Sequence, residues 1–441
     1  MTSTQREQVV VRAAKPGDVR AIRNLYELAY GGPNVGPAEN HYPFAQFLDE
    51  SWLAAAVSDS NLCWFVAEVC SEIGGSIGAV RNIGNDSDQV AEGFGLVVRS
   101  SLRGRGIGFR LFDRLCQDLE ATAQFIIAET RTADPGGLRV VRRRNFAPLG
   151  FEPFAHVTPV GPESMLLNGW LCANARRARD LSCTSSLAVH KLAEVVLGPQ
   201  NLRRLTPTDP PDRSARSKSI VSCDHRSERR KESSQASQVL RNPDANALHV
   251  ARDDREGRSF LERWPQDALH GSGVVSLRRL EGEDRSGHRY DRRFFVATIR
   301  GAQVAAARLV RDHVDHRVRI LELQSHADHI RIPMLRCIIK ELMQETEGAP
   351  NVIVIDIRAD SPEIHEELES LGFFPTVYYP ALISVGSVRR DAVQYTLVVG
   401  SDVEEQMVPP SIRDWPAALA VVETVTAAGR QYVSRCRSKV N

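Results

Sequence analysis

The stretch FGLVVRSSLRGRGIGFRLFDRL, residues 94–115, decides how this chain is read. It opens as an apolar strand, breaks into a turn carrying Gly104, Gly106 and Gly108, and resumes as a helix. Ile107, Leu111, Leu115 and Leu119 recur there at helical spacing. Glycines let a backbone come close to a ligand. The N–H groups of a helix's first turn then face an anion, and the helix dipole adds a modest attraction. Arg103 and Arg105 bring positive charge to the same spot. A pyrophosphate suits this pattern. Other phosphate motifs fail on spacing: GxxxxGK[ST] is absent, and a GxGxxG reading meets Phe109 where its last glycine belongs. That fingerprint also follows a first strand, whereas this turn follows the fourth. HRD and DFG elements are lacking, which removes a kinase reading.

Around the turn lies a well-punctuated α/β pattern. VVVRAA (9–14) is a strand; Asp18 is placed to cap a helix with apolar positions Ile22, Leu25, Leu28 and Ala29. GGPNVGP (31–37) is a loop, and residues 44–57 read as a second helix. CWFVAEVC, SIGAVRNIG and EGFGLVV are three successive strands separated by Gly/Asn/Asp turns. AQFIIAET (123–130) is a short buried strand, and a basic helix over about 138–146 leads into GFEPFAHVTPV.

The chain has 441 residues, enough for two or three domains, with 42% hydrophobic and 25% charged residues and a net charge of +1. That balance lacks the basic excess of nucleic-acid binders. No apolar run reaches the roughly 18–20 residues that cross a bilayer, and the first residues lack the pattern of a secretion signal. The eight cysteines are scattered singly, without CxxC or Cys/His ligand spacing. This reads as no structural zinc, with most cysteines buried in a reducing cytoplasm.

The strand, the R-x-x-G-x-G turn and the helix, set in a β-αα-βββ-α-β-α-ββ succession over roughly residues 9–172, resemble the GNAT superfamily of acyl-CoA-dependent N-acyltransferases. The resemblance implies an α/β (α+β) fold, a mixed central sheet flanked by helices, with acetyl-CoA or another acyl-CoA as co-substrate and no metal. Its turn would hold the coenzyme A pyrophosphate at Arg103, Gly104, Arg105, Gly106, Ile107 and Gly108. The backbone of Leu96, Val97 and Val98 would meet the pantetheine arm. The acceptor would be a primary amine on a small molecule or a protein, with neither nucleic acid nor membrane as partner and a homodimer as one arrangement.

Removing a proton from the amine calls for a base near the acyl chain. Period-two alternation places Glu92, Phe94, Leu96 and Val98 on one face, and some family members carry a catalytic Glu at this distance before the turn, so Glu92 is the candidate. The family's frequent acid is a Tyr four residues before a Gly-Phe step; Gly150-Phe151 is that step here, and the matching position is Phe146, which cannot donate a proton. Tyr26, Tyr30, His41 and Tyr42 flank the loop where such enzymes admit the acceptor, with packing or surface roles as the plainer reading.

From about Pro199 the composition turns to Ser, Pro and alternating charge. Residues 199–265 read as a linker, largely disordered around 206–245, because such a segment cannot bury enough to offset its chain entropy. Beyond it, three strands, a helix (332–345), a strand, a helix and GFFPTVYYPAL repeat the first half's succession. Gly150-Phe151-Glu152-Pro153 matches Gly372-Phe373-Phe374-Pro375. The expectation is a duplication: a GNAT-like acyl-CoA-binding domain over 1–198 and a degenerate one over 266–441. The second half has no glycine between His326 and Cys337, and Pro333 sits where a cradle would open. His326, Asp328 and His329 there read as a solvated cap rather than a metal site, while Phe373, Phe374, Tyr378 and Tyr379 suit an interface, an acceptor site or core. Two rivals share the pantetheine site: acyl transfer or decarboxylation on a carrier protein, and a non-enzymatic coenzyme A-binding scaffold.

Overall fold

Alternating apolar strands and amphipathic helices assemble into one continuous fourteen-stranded sheet in the computed structural model. The structure describes residues 8–30, 45–132, 135–158, 161–181, 184–200, 206–207, 248–263, 273–275, 277, 290–345, 349–399 and 410–440. The sheet strands are β1 (Val9–Ala13), β2 (Leu62–Val69), β3 (Glu72–Val80), β4 (Val90–Val98), β5 (Phe125–Arg131), β6 (Ala147–Thr158) and β7 (Gly161–Leu171). They continue as β8 (Leu248–Arg252), β9 (Tyr290–Ile299), β10 (Ala302–Asp312), β11 (Arg317–Ser325), β12 (Val352–Arg358), β13 (Phe374–Val385) and β14 (Val388–Val398). Their spatial order is β1-β2-β3-β4-β5-β7-β6-β13-β14-β12-β11-β10-β9-β8, so the second seven mirror the first. Within this sheet, among the described residues, β4·β5 and β11·β12 are the parallel pairs.

The helices are α1 (Val19–Tyr30), α2 (Glu50–Ser58), α3 (Ile107–Leu119), α4 (Pro135–Arg143), α5 (Ala173–Ala178), α6 (Leu187–Leu197), α7 (Asp254–Glu262), α8 (Arg331–Met343), α9 (Pro362–Ser370) and α10 (Pro416–Val440). The helix expected over 44–57 is divided. Asp49 accepts hydrogen bonds from the N–H groups of Ser51 (2.8 Å) and Trp52 (3.3 Å) and so starts α2, leaving Ala45–Leu48 as a 3-10 turn. The apolar stripe of α3 lies over Gly75 and Gly93; a Cβ on Gly75 would come within 2.9 Å of Leu111.

Recurrence between the halves follows an offset of 227 residues. Asn145 and Gly372 take the same left-handed turn before β6 and β13, at φ 60° and 97°. Pro148 and Pro375 precede the same register shift, and Phe154 and Ala381 share φ 52°. The counterpart of Gly372-Phe373-Phe374-Pro375 is therefore Asn145-Phe146-Ala147-Pro148, not Gly150-Phe151-Glu152-Pro153. Asn tolerates the left-handed conformation that Gly takes, which hid the match. Order also resumes earlier than residue 266. β8 pairs with β9 from Leu248, and Asp253 caps α7 by accepting from the N–H groups of Arg255 (3.1 Å) and Glu256 (2.8 Å). A short, half-exposed edge strand before a polar helix has the composition of a linker. Residues 208–247, which contain most of the stretch expected to be disordered, lie outside the described residues.

The halves meet where Gly150 of β6 pairs with Val377 of β13. Any side chain at Gly150 would stand 2.4 Å from Thr376 O and Val377 Cα. The glycine expected to mark a motif is there for close backbone approach. Buried polar contacts also join the halves: Arg179 grips Asp391 in an ion pair through Nε (2.8 Å) and Nη2 (2.6 Å), and His156 Nδ1 lies within hydrogen-bond distance of Asp315 Oδ1, at 2.8 Å. Phe373, Phe374, Tyr378 and Tyr379 are core here, at 1% exposure or less. α6 and α10 cover this region. Of the five cysteines whose side chains are described, Cys63 and Cys116 are buried as expected, Cys172 is half-buried, and Cys70 and Cys337 are exposed.

His365, fully buried, has its pKa lowered to about 4 by that burial. Its Nε2 lies 3.0 Å from Arg358 O. As pH falls from 6.5 through 4 the unfolded chain gains a proton that the native state refuses. Acidification over that window should remove about 3 kcal/mol of stability. Denaturant midpoints measured from pH 7 to pH 4 should therefore fall more steeply for wild type than for His365→Gln. Parallel slopes would contradict this.

Candidate active site

The alternation along β4 does not run unbroken. Gly78 pairs with Phe94 and Ser76 with Val97, so Gly95 and Leu96 together oppose Ile77 in a bulge, with Gly95 at φ 67°. The bulge reverses the phase. Glu92 and Phe94 share a face with Val97, while Leu96 and Val98 turn to the other side, within 4 Å of where a Cβ on Gly108 of α3 would stand. The expectation that Glu92, Phe94, Leu96 and Val98 line one face is corrected accordingly.

On the Glu92 face, Tyr26, Phe47, Trp52, Trp64 and Phe94 form an aromatic cluster. Gly78 makes room for Phe94, whose ring would lie 2.4 Å from a Cβ there. Tyr26, 1% exposed, donates its hydroxyl to Gly95 O (2.5 Å) and so braces the bulge. Glu92 is buried at 7% exposure, beside Val80 on β3 and Ile127 on β5. His41 and Tyr42 lie outside the described residues, as does the side chain of Tyr30.

The parallel pairing of β4 with β5 runs from Val90–Phe125 to Gly93–Ala128 and stops. From Phe94 onward β4 has β3 on one side and no paired strand on the other among the described residues. Leu96, Val97 and Val98 border this slot. At its far end the chain turns through Arg103 and Arg105, both exposed, to α3. Gly104 (φ 79°) and Gly106 (φ 77°) hold conformations that favour glycine, and the space beside each is open for 4 Å. The first amide of α3 with a helical partner is Arg110, bonded to Gly106 O (3.1 Å). The N–H groups of Ile107, Gly108 and Phe109 thus project from the helix start, as an anion cradle requires.

Phe146 does not stand where an acid would. It lies beyond α4, buried against Phe112 with ring centroids 5.1 Å apart, as the Phe that follows the turn at Asn145. The position four before that turn is Val141, a buried aliphatic.

At the corresponding places the second half differs in three ways. Arg319 holds the register position of Glu92, between Val310 and Val354, and donates to Asp356 (3.0 Å). The connection from β11 to α8 passes through a 3-10 turn, Asp328–Ile330, without glycine. The slot between β11 and β12 is filled by the chain itself. Val274 bridges to Ile357, Val275 N–H donates to Asp356 O (2.8 Å) and Arg358 N–H to Gly273 O (2.7 Å). Val274, Val275 and Leu277 are all buried to 2% exposure or less. No sequence signal announced this plug, which depends on a long-range return of the chain. Among the described residues no group of three or more His, Cys, Asp or Glu could hold a metal, and no helix is long and apolar enough to cross a membrane.

Residues 19–146 match the model of the acetyltransferase (GNAT) family, and this stretch is an acetyltransferase domain of that family. The protein is accordingly an enzyme of the acyltransferase class, with the α/β fold that its sequence led one to expect. No curated protein matches the chain. Among solved structures, an N-acetyltransferase from Staphylococcus aureus is 18% identical, over 37% of this chain and 98% of its own, with a TM-score of 0.32. The ribosomal-protein-S18-alanine N-acetyltransferase from Escherichia coli is 14% identical, over 37% and 94%, with a TM-score of 0.30. YncA from Salmonella typhimurium, solved with its cofactor acetyl-CoA, is 16% identical, over 37% and 94%, with a TM-score of 0.32.

Proposed function

We propose that the protein transfers an acyl group, acetyl in the first instance, from acyl-CoA to a primary amine, and does so at one site in its first half. The observation that carries this is the open glycine cradle at the start of α3, aligned with the slot where β4 parts from β5. Arg103 to Gly108 bind the pyrophosphate, and the backbone of Leu96 to Val98 takes the pantetheine arm. Glu92 accepts a proton from the amine, directly or through a water, as the new N–C bond forms and the thioester C–S bond breaks. With Val141 at the acid position, the thiolate leaves and takes its proton from solvent. The halves are a duplicated pair, one unit within residues 1–198 and a non-binding unit built on β8 to β14. Scattered single cysteines suit a cytoplasmic location.

Calorimetric titration of acetyl-CoA into the full chain tests the site count. One site per chain is expected, since the second slot is plugged and lacks a cradle; two sites, or none, would overturn the assignment. Glu92→Gln should then lower kcat about 100-fold in an amine screen, with the KM for acetyl-CoA unchanged. Tight binding without turnover by wild type would instead mark a scaffold.

A further inference from the structure

The turn between β3 and β4 is built around Asp88, which is fully buried. One carboxylate oxygen accepts the Asn85 N–H (2.8 Å) and the other accepts the Ser384 N–H from β13 (2.7 Å). Its backbone carbonyl accepts Arg389 Nη2 from β14 (2.8 Å). Arg389, 5% exposed, also donates to Ala381 O (2.7 Å) and Leu382 O (2.6 Å), so its guanidinium ties the turn to the β13–β14 hairpin through carbonyls alone. The next residue, Gln89, adopts φ 51°, and its carbonyl accepts the N–H of Gln124, just before β5. The second half therefore grips the point from which both β4 and β5 set out. Only the pairs from Val90–Phe125 to Gly93–Ala128 separate that grip from the parting of the strands, and Glu92 lies among them.

A mirror of this clamp exists at the 227-residue offset, where the Val157 N–H donates to Asp315 Oδ1 (2.9 Å) as Ser384 does to Asp88. The mirror is incomplete. The counterpart of Arg389 is Pro162, so the guanidinium is present only on the side that carries the glycine turn.

We infer that Arg389 is a positioning residue for acyl transfer: by fixing the β3–β4 turn it sets how β4 parts from β5 and where Glu92 stands. The inference rests on the reading of Glu92 as the base, but its physical content, control of the root of β4, is measurable without turnover.

The test compares full-length wild type, Arg389→Gln, Arg389→Lys and Asp315→Asn by hydrogen exchange of the Val90–Gly93 amides and by steady-state kinetics with acetyl-CoA. Arg389→Gln should exchange at least tenfold faster there and lose at least tenfold in kcat, with the KM for acetyl-CoA within twofold because the cradle lies at the other end of β4. Arg389→Lys should fall between, and decides the matter if the glutamine variant does not fold. Asp315→Asn opens the mirror clamp and should lower thermal stability while leaving β4 exchange and kcat at wild-type values. Unchanged β4 exchange in both arginine variants would overturn the inference, as would Asp315→Asn accelerating β4 exchange as much as Arg389→Gln. A wild type that transfers no acyl group would count against the proposed function alone, with the exchange contrast still deciding the role of Arg389.

Discussion

Replacing Gly106 with glutamate should abolish acetyl-CoA binding, with affinity falling at least 100-fold, about 2.7 kcal/mol. Steric exclusion by protein is not the reason, since a Cβ at Gly106 meets nothing within 4 Å. On the proposed function, that open space is where the pyrophosphate would lie. A carboxylate there would sit against a pyrophosphate at a helix N-terminus whose projecting N–H groups it would itself attract. The backbone adds a smaller penalty, because Gly106 holds φ 77° and an L-residue in that region costs about 1–2 kcal/mol. Gly106→Ala separates the two effects. It carries the backbone strain without the charge and should lose less than tenfold in affinity while melting a few degrees lower. Calorimetry on both variants decides the assignment: glutamate binding as tightly as wild type would remove the pyrophosphate from this turn, and alanine binding as weakly as glutamate would shift the cause from charge to conformation.

That the glycine turn and the helix after it could be read from sequence follows from their locality. Glycines at 104, 106 and 108 and the stripe from Ile107 to Leu119 are requirements of one turn and one helix, and both hold in the structure. Features that depend on a neighbouring strand were not legible in the same way. Alternation along β4 put Leu96 on the face of Glu92, but an extra residue opposite Ile77 reverses the phase, and the glycines inside the strand, Gly93 and Gly95, were the available signal. The Gly-Phe step was placed at Gly150 because glycine is the usual left-handed residue, whereas Asn145 takes that conformation here and Gly150 serves the approach of Val377. The loss of glycines in the second half was visible in its sequence. The plug at Gly273–Leu277 was not, because its hydrogen bonds join positions some eighty residues apart in the chain. Clamps such as Asp88–Ser384 are longer-range still and leave no periodic trace.

Arg179→Leu should cost about 3–5 kcal/mol of stability, the usual consequence of stranding one member of a buried ion pair. Asp391 has no exposed surface, and without Arg179 it would retain only the Tyr378 hydroxyl and the Ala381 N–H (2.7 Å) as compensation. Burial and pairing to Asp391 act on Arg179 in opposite directions, and the pairing prevails, raising its pKa above the usual arginine range. The pair also joins the halves, since Arg179 follows α5 while Asp391 lies on β14. Urea denaturation of Arg179→Leu, Asp391→Leu and the double variant should show each single change costing most of this amount and the double variant recovering a large part of it, because no charge is then left buried alone. Strict additivity would mean that Asp391 finds solvent or another cation when Arg179 is gone. The pair is one of several ties between the halves, beside the Gly150–Val377 pairing and the hydrogen bonds of Asp88 with Ser384 and Arg389, so its loss should lower stability while leaving acetyl-CoA affinity at the wild-type value, the cradle lying at the other end of β4.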